Sequence, residues 1–272
     1  MVKVFTMVKG EVDIVEDWVK YHGTLFGYQN LFVIDNMSLD GTFETLINLK
    51  NLYNINVIRK RDYKKKGEYM TNLLRKCGNN EIVFPIDIDE FIVYYDKPSN
   101  KMICDVFSIN NYINSLPRYP IFKMNYIQSK ILREGGYNRA AVESEWGRYE
   151  DYGNFAKSFF WSDLFKGEID HGNHYHCDKF ISTKLRLVHF HTRNLDQIKK
   201  KVFNNVKGLG HKPFDIEYLK NKIIENPIRE GQHHIVKQIS ILENSFVFPI
   251  EECSPDDVNL KPLCEFINSI NV

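Results

Sequence analysis

Glu81-Ile82-Val83-Phe84-Pro85-Ile86-Asp87-Ile88-Asp89-Glu90-Phe91 opens as a short apolar run and closes on three carboxylates. A run of this length, edged by turn-forming residues, reads as a strand buried on both faces. Its end breaks that pattern, because acids seldom follow a buried strand without a partner. Side chains alternate along an extended chain, so Asp87 and Asp89 point to one side and Ile88 to the other. Two carboxylates at a strand end suit a hard divalent cation, and ligands of open α/β sheets gather outside the carboxyl ends of the strands. The same pair also suits a turn capped by two aspartates, and a lone Asp-x-Asp does not decide between the two.

Working outward, the chain before this stretch alternates strand and helix patterns. Val2 to Val8 reads as a strand, Glu11 to Phe26 as an amphipathic helix, and Leu31 to Ile34 as a second strand ending at Asp35. Gly41 to Leu49 reads as a helix with Asp40 as its N-cap, Ile55 to Ile58 as a strand, and Lys66 to Lys76 as a third helix. Short connections between such elements predict an α/β fold with a mostly parallel central sheet flanked by helices. Beyond residue 95 the pattern predicts a helix over Val106 to Ser115, a strand over Ile121 to Ile127, a loop-rich span from 128 to 180, and a strand from Leu185 to Phe190. A basic helix over Leu195 to Val206 follows. Residues 211–272 read as a small helical C-terminal extension to a domain spanning 1–210.

The 272 residues, 43% of them hydrophobic, are enough for a full core without disulfides. A formal net charge of +1 argues against a general binder of nucleic acid or anionic membranes. The basic run from Arg59 to Lys66 reads as a solvated loop after a strand, with a nuclear or nucleic-acid signal and a nearby phosphorylated ligand as the other options. Five cysteines, an odd number with no Cys-x-x-Cys pair, suit a reducing compartment. With no signal peptide and no apolar run near the ~20 residues of a membrane helix, the expectation is a soluble, cytoplasmic protein.

Four ordered blocks carry a family resemblance: Val8-Lys9-Gly10-Glu11 with Glu16-Asp17-Trp18 and Tyr21-His22, then Asp35-Asn36-Met37-Ser38-Leu39-Asp40-Gly41-Thr42, Asp87-Ile88-Asp89-Glu90-Phe91, and His189-Phe190-His191-Thr192-Arg193-Asn194. Together they resemble the family 2-like and family 92-like glycosyltransferases, enzymes of the GT-A (Rossmann-like) fold. Departures from the family pattern are Gly10 in place of an Asn, Met70 near the place of a Gln, and only Gly135-Gly136 for a Gly-rich acceptor segment.

The resemblance implies a metal-dependent, inverting transfer of a sugar from a nucleotide-diphosphate donor, with uridine diphosphate as the expected nucleotide, to a glycan or protein-linked hydroxyl. It places Mn²⁺ or Mg²⁺ on Asp89 and His189, with Asp87 on the metal or the ribose. A histidine ligand tilts the choice to Mn²⁺. By its spacing alone His189 would read as a core histidine. Thr6, Lys9, Glu11 and Asp35 would line the nucleotide, and Arg193 would hold phosphate oxygens with its planar fork. A general base for the acceptor is expected among Glu145, Asp170 and Glu143, in that order. Trp146, Trp161 and Tyr126 are candidate sugar-stacking rings as well as ordinary core aromatics. The tract His171-Gly172-Asn173-His174-Tyr175-His176-Cys177 resembles a zinc site but lacks a second ligand pair, and reads better as a substrate-side loop. Two rival functions are a sugar-nucleotidyltransferase, which needs a glycine-rich loop where Met7 to Glu11 has one glycine, and a non-catalytic carbohydrate-binding module.

Overall fold

The computed structural model describes residues 1–225 and 232–271. Its first half follows the predicted alternation: β1 (Val2–Val8), α1 (Val15–Phe26), β2 (Leu31–Asp35), α2 (Thr42–Tyr53), β3 (Asn56–Arg59), α3 (Lys66–Leu74) and β4 (Ile82–Pro85). These strands lie parallel in the order β3-β2-β1-β4. The register pairs Val8 with Asp35 and Asp35 with Arg59, so the carboxyl ends of the first three strands line up on one edge. Phe5, Met7, Ile34 and Val83 of these strands pack with Met70 and Leu74 of α3 and with Ile121, Phe160, Phe165 and Ile169 in a buried core.

The chain then does something the apolar pattern did not predict. After a turn at Asp87–Asp89 it reverses into β5 (Glu90–Asp96), followed by β6 (Lys101–Ile103), α4 (Val106–Asn114) and β7 (Ile121–Ser129). The span expected to be loop holds α5 (Ala140–Glu143), β8 (Trp146–Glu150) and β9 (Lys157–Trp161) before β10 (Ile181–His189). The sheet continues from β4 as β9-β7-β10-β5-β6; of these joins β7 with β10 is parallel, while β4–β9, β9–β7, β10–β5 and β5–β6 are antiparallel. β8 pairs with β7 and with β11 (Val258–Asn259), which leads into α9 (Lys261–Ser269).

α1 explains how β5 is held. The Trp18 indole donates to Glu90 O (3.0 Å), the Tyr21 hydroxyl donates to Ile92 O (2.6 Å), and His22 Nε2 accepts from Ile92 N (3.4 Å). Its side chains thus satisfy backbone groups of β5 that β6 does not reach, since β6 pairs only Tyr94 to Asp96. The expected helix start at Glu11 is a turn, with Glu11 O accepting from both Ile14 N and Val15 N. Asp40, expected as the N-cap of α2, stands one residue too early: Gly41 holds that position, and Asp40 instead accepts from Thr42 N and Oγ1.

The chain divides into two compact units. One comprises 1–130, 139–191 and 253–272, and the other 131–138 and 192–252. This division differs from the one expected at residue 210. The second unit contains α6 (Leu195–Gly208), α7 (Ile216–Glu225) and α8 (Gln232–Leu242), whose Ile198, Val202, Val206, Leu219, Ile235 and Ile239 form its core. Part of the expected helical extension, residues 226–231 and 272, lies outside the described residues. Among the described residues no helix is long and apolar enough to cross a membrane, and all five cysteines are free thiols.

Candidate metal centre

The turn after β4 is closed by its own last residue. Glu90 N donates to Asp87 O (3.1 Å), and the Glu90 carboxylate accepts from Asp87 N (2.7 Å). Antiparallel pairing then sets Glu90 opposite His189, and Phe190 N donates to Asp89 O (2.8 Å). Asp89 is thereby pinned to the carboxyl end of β10. His189 and His191, two residues apart, belong on the same side of an extended chain. Asp89, His189 and His191 each bring one ligand atom into a group spanning no more than 4.8 Å. Asp89 Oδ2 stands 3.5 Å from His189 Nε2, longer than a good hydrogen bond. His189 Nδ1 is buried with no hydrogen-bond partner among the described residues. One carboxylate and two imidazoles suit Mn²⁺, Fe²⁺ or Zn²⁺ better than Mg²⁺, which prefers oxygen and water.

Asp87, expected on the same ion, is placed differently. Lys66 Nζ stands 2.5 Å from one of its oxygens and Lys157 Nζ 2.7 Å from the other. Lys157 also reaches Glu90 Oε1 (3.0 Å) and donates to Gly172 O (3.1 Å). Both lysines are buried. Burial alone would push the Asp87 carboxyl up, but Lys157 and Lys66 outweigh it and hold the group well below the usual carboxylate range. Burial, with Asp87 and Asp89 adding to it, pushes Glu90 up, while burial of Lys157 is outweighed by its acidic neighbours and its ammonium is firmly retained. The third member of the metal group is therefore His191, which the sequence reading passed over although it stands in the quoted His-Phe-His block.

At the carboxyl ends of β1 to β3 a braced cradle appears. Asp35 is fully buried, accepts from Ser38 N (3.1 Å) and pairs with Arg59 Nε (3.0 Å). The Asn36 amide donates to Lys60 O (2.9 Å) and Arg61 O (2.8 Å), and Ser38 Oγ accepts from Gly10 N (3.0 Å). Gly10 has φ 71°, a left-handed conformation that Gly and Asn tolerate best, which accounts for glycine at a position where the resembling family has Asn. Thr6 is buried with its hydroxyl unpartnered among the described residues, Glu11 is buried, and Lys9 is exposed.

The expected base candidates sit in separate settings. Asp170 has both oxygens engaged by the backbone N–H groups of His174 (2.9 Å) and Tyr175 (2.5 Å). Glu143 accepts from Arg139 N (2.9 Å), and half-exposed Glu145 pairs with Lys261 (3.3 Å). Of the aromatic candidates, Tyr126 lies 5.6 Å from the His189 ring, whereas Trp161 pairs with Ile82 at the far, amino-terminal end of β4. The histidine tract diverges: His171 packs on Tyr63 and His176 on Phe155, and among the described residues the tract brings no three ligand atoms together. It is organised by Lys123 of β7, whose buried ammonium donates to the carbonyls of Asn154, Ala156, His174 and Tyr175. Arg193 is buried in the second unit, next to the α6 N-cap Asn194, with its backbone N donating to Gln197.

No family model and no curated protein matches the chain. Solved structures do. A mannosyltransferase from Pyrobaculum calidifontis, in complex with GDP-mannose and Mn²⁺, is 13% identical with a TM-score of 0.43, covering 91% of this chain and 76% of its own. TarS 1–349 of S. aureus is 10% identical with a TM-score of 0.42, covering 90% and 71%. Glucosyl-3-phosphoglycerate synthase of Mycobacterium tuberculosis, with Mn²⁺ and UDP-glucose, is 12% identical with a TM-score of 0.36, covering 78% and 80%. At TM-scores below 0.5 none of these structures fixes the function of the chain, which has to be read from its own residues.

Proposed function

We propose that the chain is a metal-dependent glycosyltransferase that moves a hexosyl group from a nucleotide-diphosphate sugar, uridine diphosphate being the expected carrier, to a hydroxyl of a glycan or protein-linked acceptor with inversion. The convergence of Asp89, His189 and His191 at the carboxyl edge of the sheet, beside the cradle built on Asp35, is the observation that carries the reading. A divalent ion held there supplies charge neutralisation for a diphosphate leaving group.

The chain's own residues have the remaining work. Thr6 and Asp35 would orient the nucleoside, with Lys9 and Glu11 at the cradle's rim. Asp87, with both oxygens held by lysines, would serve the ribose side rather than the ion. Arg193 is assigned to phosphate oxygens on the family resemblance. The base is assigned to Glu145 ahead of Asp170 and Glu143, because Asp170 already accepts two backbone N–H groups while Glu145, among the described residues, makes only a half-exposed pair with Lys261.

The test is hydrolysis and transfer of UDP- and GDP-sugars with and without Mn²⁺. Turnover that requires Mn²⁺ and disappears in Asp89→Ala is expected. Equal turnover in Asp89→Ala, or no nucleotide-sugar binding by the wild-type protein, would remove the reading.

A further inference from the structure

Two buried lysines converge on Asp87, and they are not equivalent. Lys157, in the middle of the sheet, is locked by Asp87, Glu90 and the Gly172 carbonyl. Lys66 is the first residue of α3, directly after the 3-10 turn at Tyr63–Lys65, and among the described residues its ammonium pairs only with Asp87. The charges explain why both are needed. Asp87, Asp89 and Glu90 set three carboxyl groups against the ammoniums of Lys66 and Lys157, so the cluster by itself offers no net positive charge to a phosphate. A divalent ion on Asp89 and the two histidines turns that balance positive, which suits a multiply charged anion. Because Lys157 alone keeps Asp87 paired, Lys66 can leave it without exposing an uncompensated buried carboxylate.

We propose that Lys66 is a phosphate-binding cation of the site: its ammonium passes from Asp87 to the diphosphate of the donor, while Lys157 stays in place. This deepens the glycosyltransferase reading and rests on it for the identity of the donor, but the binding chemistry concerns any diphosphate bound beside the ion. A lysine held as a point charge on a flexible stem suits a phosphate whose charge grows as the leaving group departs. It also gives the end of the basic run from Arg59 to Lys66 a ligand-facing role.

The experiment is calorimetric titration of inorganic pyrophosphate and of Mn²⁺ alone into wild-type protein and three variants, with thermal unfolding as a fold control. Lys66→Met is expected to weaken pyrophosphate binding in the presence of Mn²⁺ by about tenfold to a hundredfold, the range of one charge-assisted hydrogen bond, and to leave binding of Mn²⁺ alone unchanged. Lys66→Arg should recover most of the loss. Asp87→Asn, which frees Lys66 without removing it, should tighten pyrophosphate severalfold; a merely structural ion pair would give no such gain. Unchanged pyrophosphate affinity in Lys66→Met, no tightening in Asp87→Asn, or no pyrophosphate binding by the wild-type protein overturns the role of Lys66. If pyrophosphate behaves as expected but no sugar nucleotide is turned over, Lys66 stands and the glycosyltransferase reading falls.

Discussion

At the residue scale the proposed site turns on which side chains are placed to share an ion. Asp89 and His189 were picked out through the Asp-x-Asp and His-Phe-His blocks of the family resemblance, since the Asp-x-Asp alone decides nothing and His189 by its spacing alone reads as a core histidine. His191 was not, because an exposed histidine two residues further on looks like surface until β10 is known to stop at His189. The lysine pair on Asp87 was also hidden, since Lys66 and Lys157 lie 91 positions apart in the chain and only the folded sheet brings them together. His191→Ala should therefore weaken Mn²⁺ binding by more than the roughly 10–100-fold that outer-shell changes cost, with the melting temperature nearly unchanged because the ring is exposed. Calorimetry with Mn²⁺ alone decides it: an unaltered affinity would take His191 out of the centre. Glycine supplies a second residue-scale prediction. Gly136 has φ 74°, and a Cβ there would stand 2.0 Å from Arg193 O. Gly136→Ala should destabilise the second unit by more than about 1 kcal/mol, read by denaturant unfolding, since it adds a backbone clash to left-handed strain.

At the element scale the first four strands and three helices were readable because each carries its own period: apolar runs for buried strands, a one-sided stripe for helices. β5 was not, because a strand that turns back within three residues continues the same apolar string and gives no second signal. β8 and β9 were missed for a related reason. Their pairing with β7 is non-local, and their sequences, Trp146 to Glu150 and Lys157 to Trp161, mix charge with aromatics. The element most exposed to mutation is the α1–β5 contact, since side chains stand in there for a missing strand. Trp18→Phe keeps the packing but leaves Glu90 O without its indole donor, a loss of about 1–3 kcal/mol. Because Glu90 closes the turn that carries Asp89, the same variant should also weaken Mn²⁺ binding. Full stability in Trp18→Phe would show that water replaces the indole.

For the whole molecule, the compact units do not follow the boundary expected at residue 210: the second takes in 131–138 from far upstream, and the last 20 residues, 253–272, group with the first. No local pattern announces such an exchange. Acid stability offers a probe that integrates over the fold. His22 is fully buried between Trp18 O and Ile92 N, and burial pushes its imidazole down to about 3; burial likewise lowers His174 and His234 to about 4. A histidine whose folded pKa lies below its unfolded value binds fewer protons when folded. Stability is then complete above about pH 6.5 and falls as the pH drops towards the folded value. Above about pH 5 the carboxylates contribute little to the slope, so the histidines dominate the window from about 6.5 to 5. There His22 alone should cost about 1.4 kcal/mol of stability per pH unit. Urea unfolding at several pH values should show this slope in the wild-type protein and a slope smaller by about one proton in His22→Gln, whose amide can still donate and accept. Equal slopes would mean that the ring takes up its proton in place, and with it the hydrogen bond from Ile92 N that holds α1 on β5 would have to be given up.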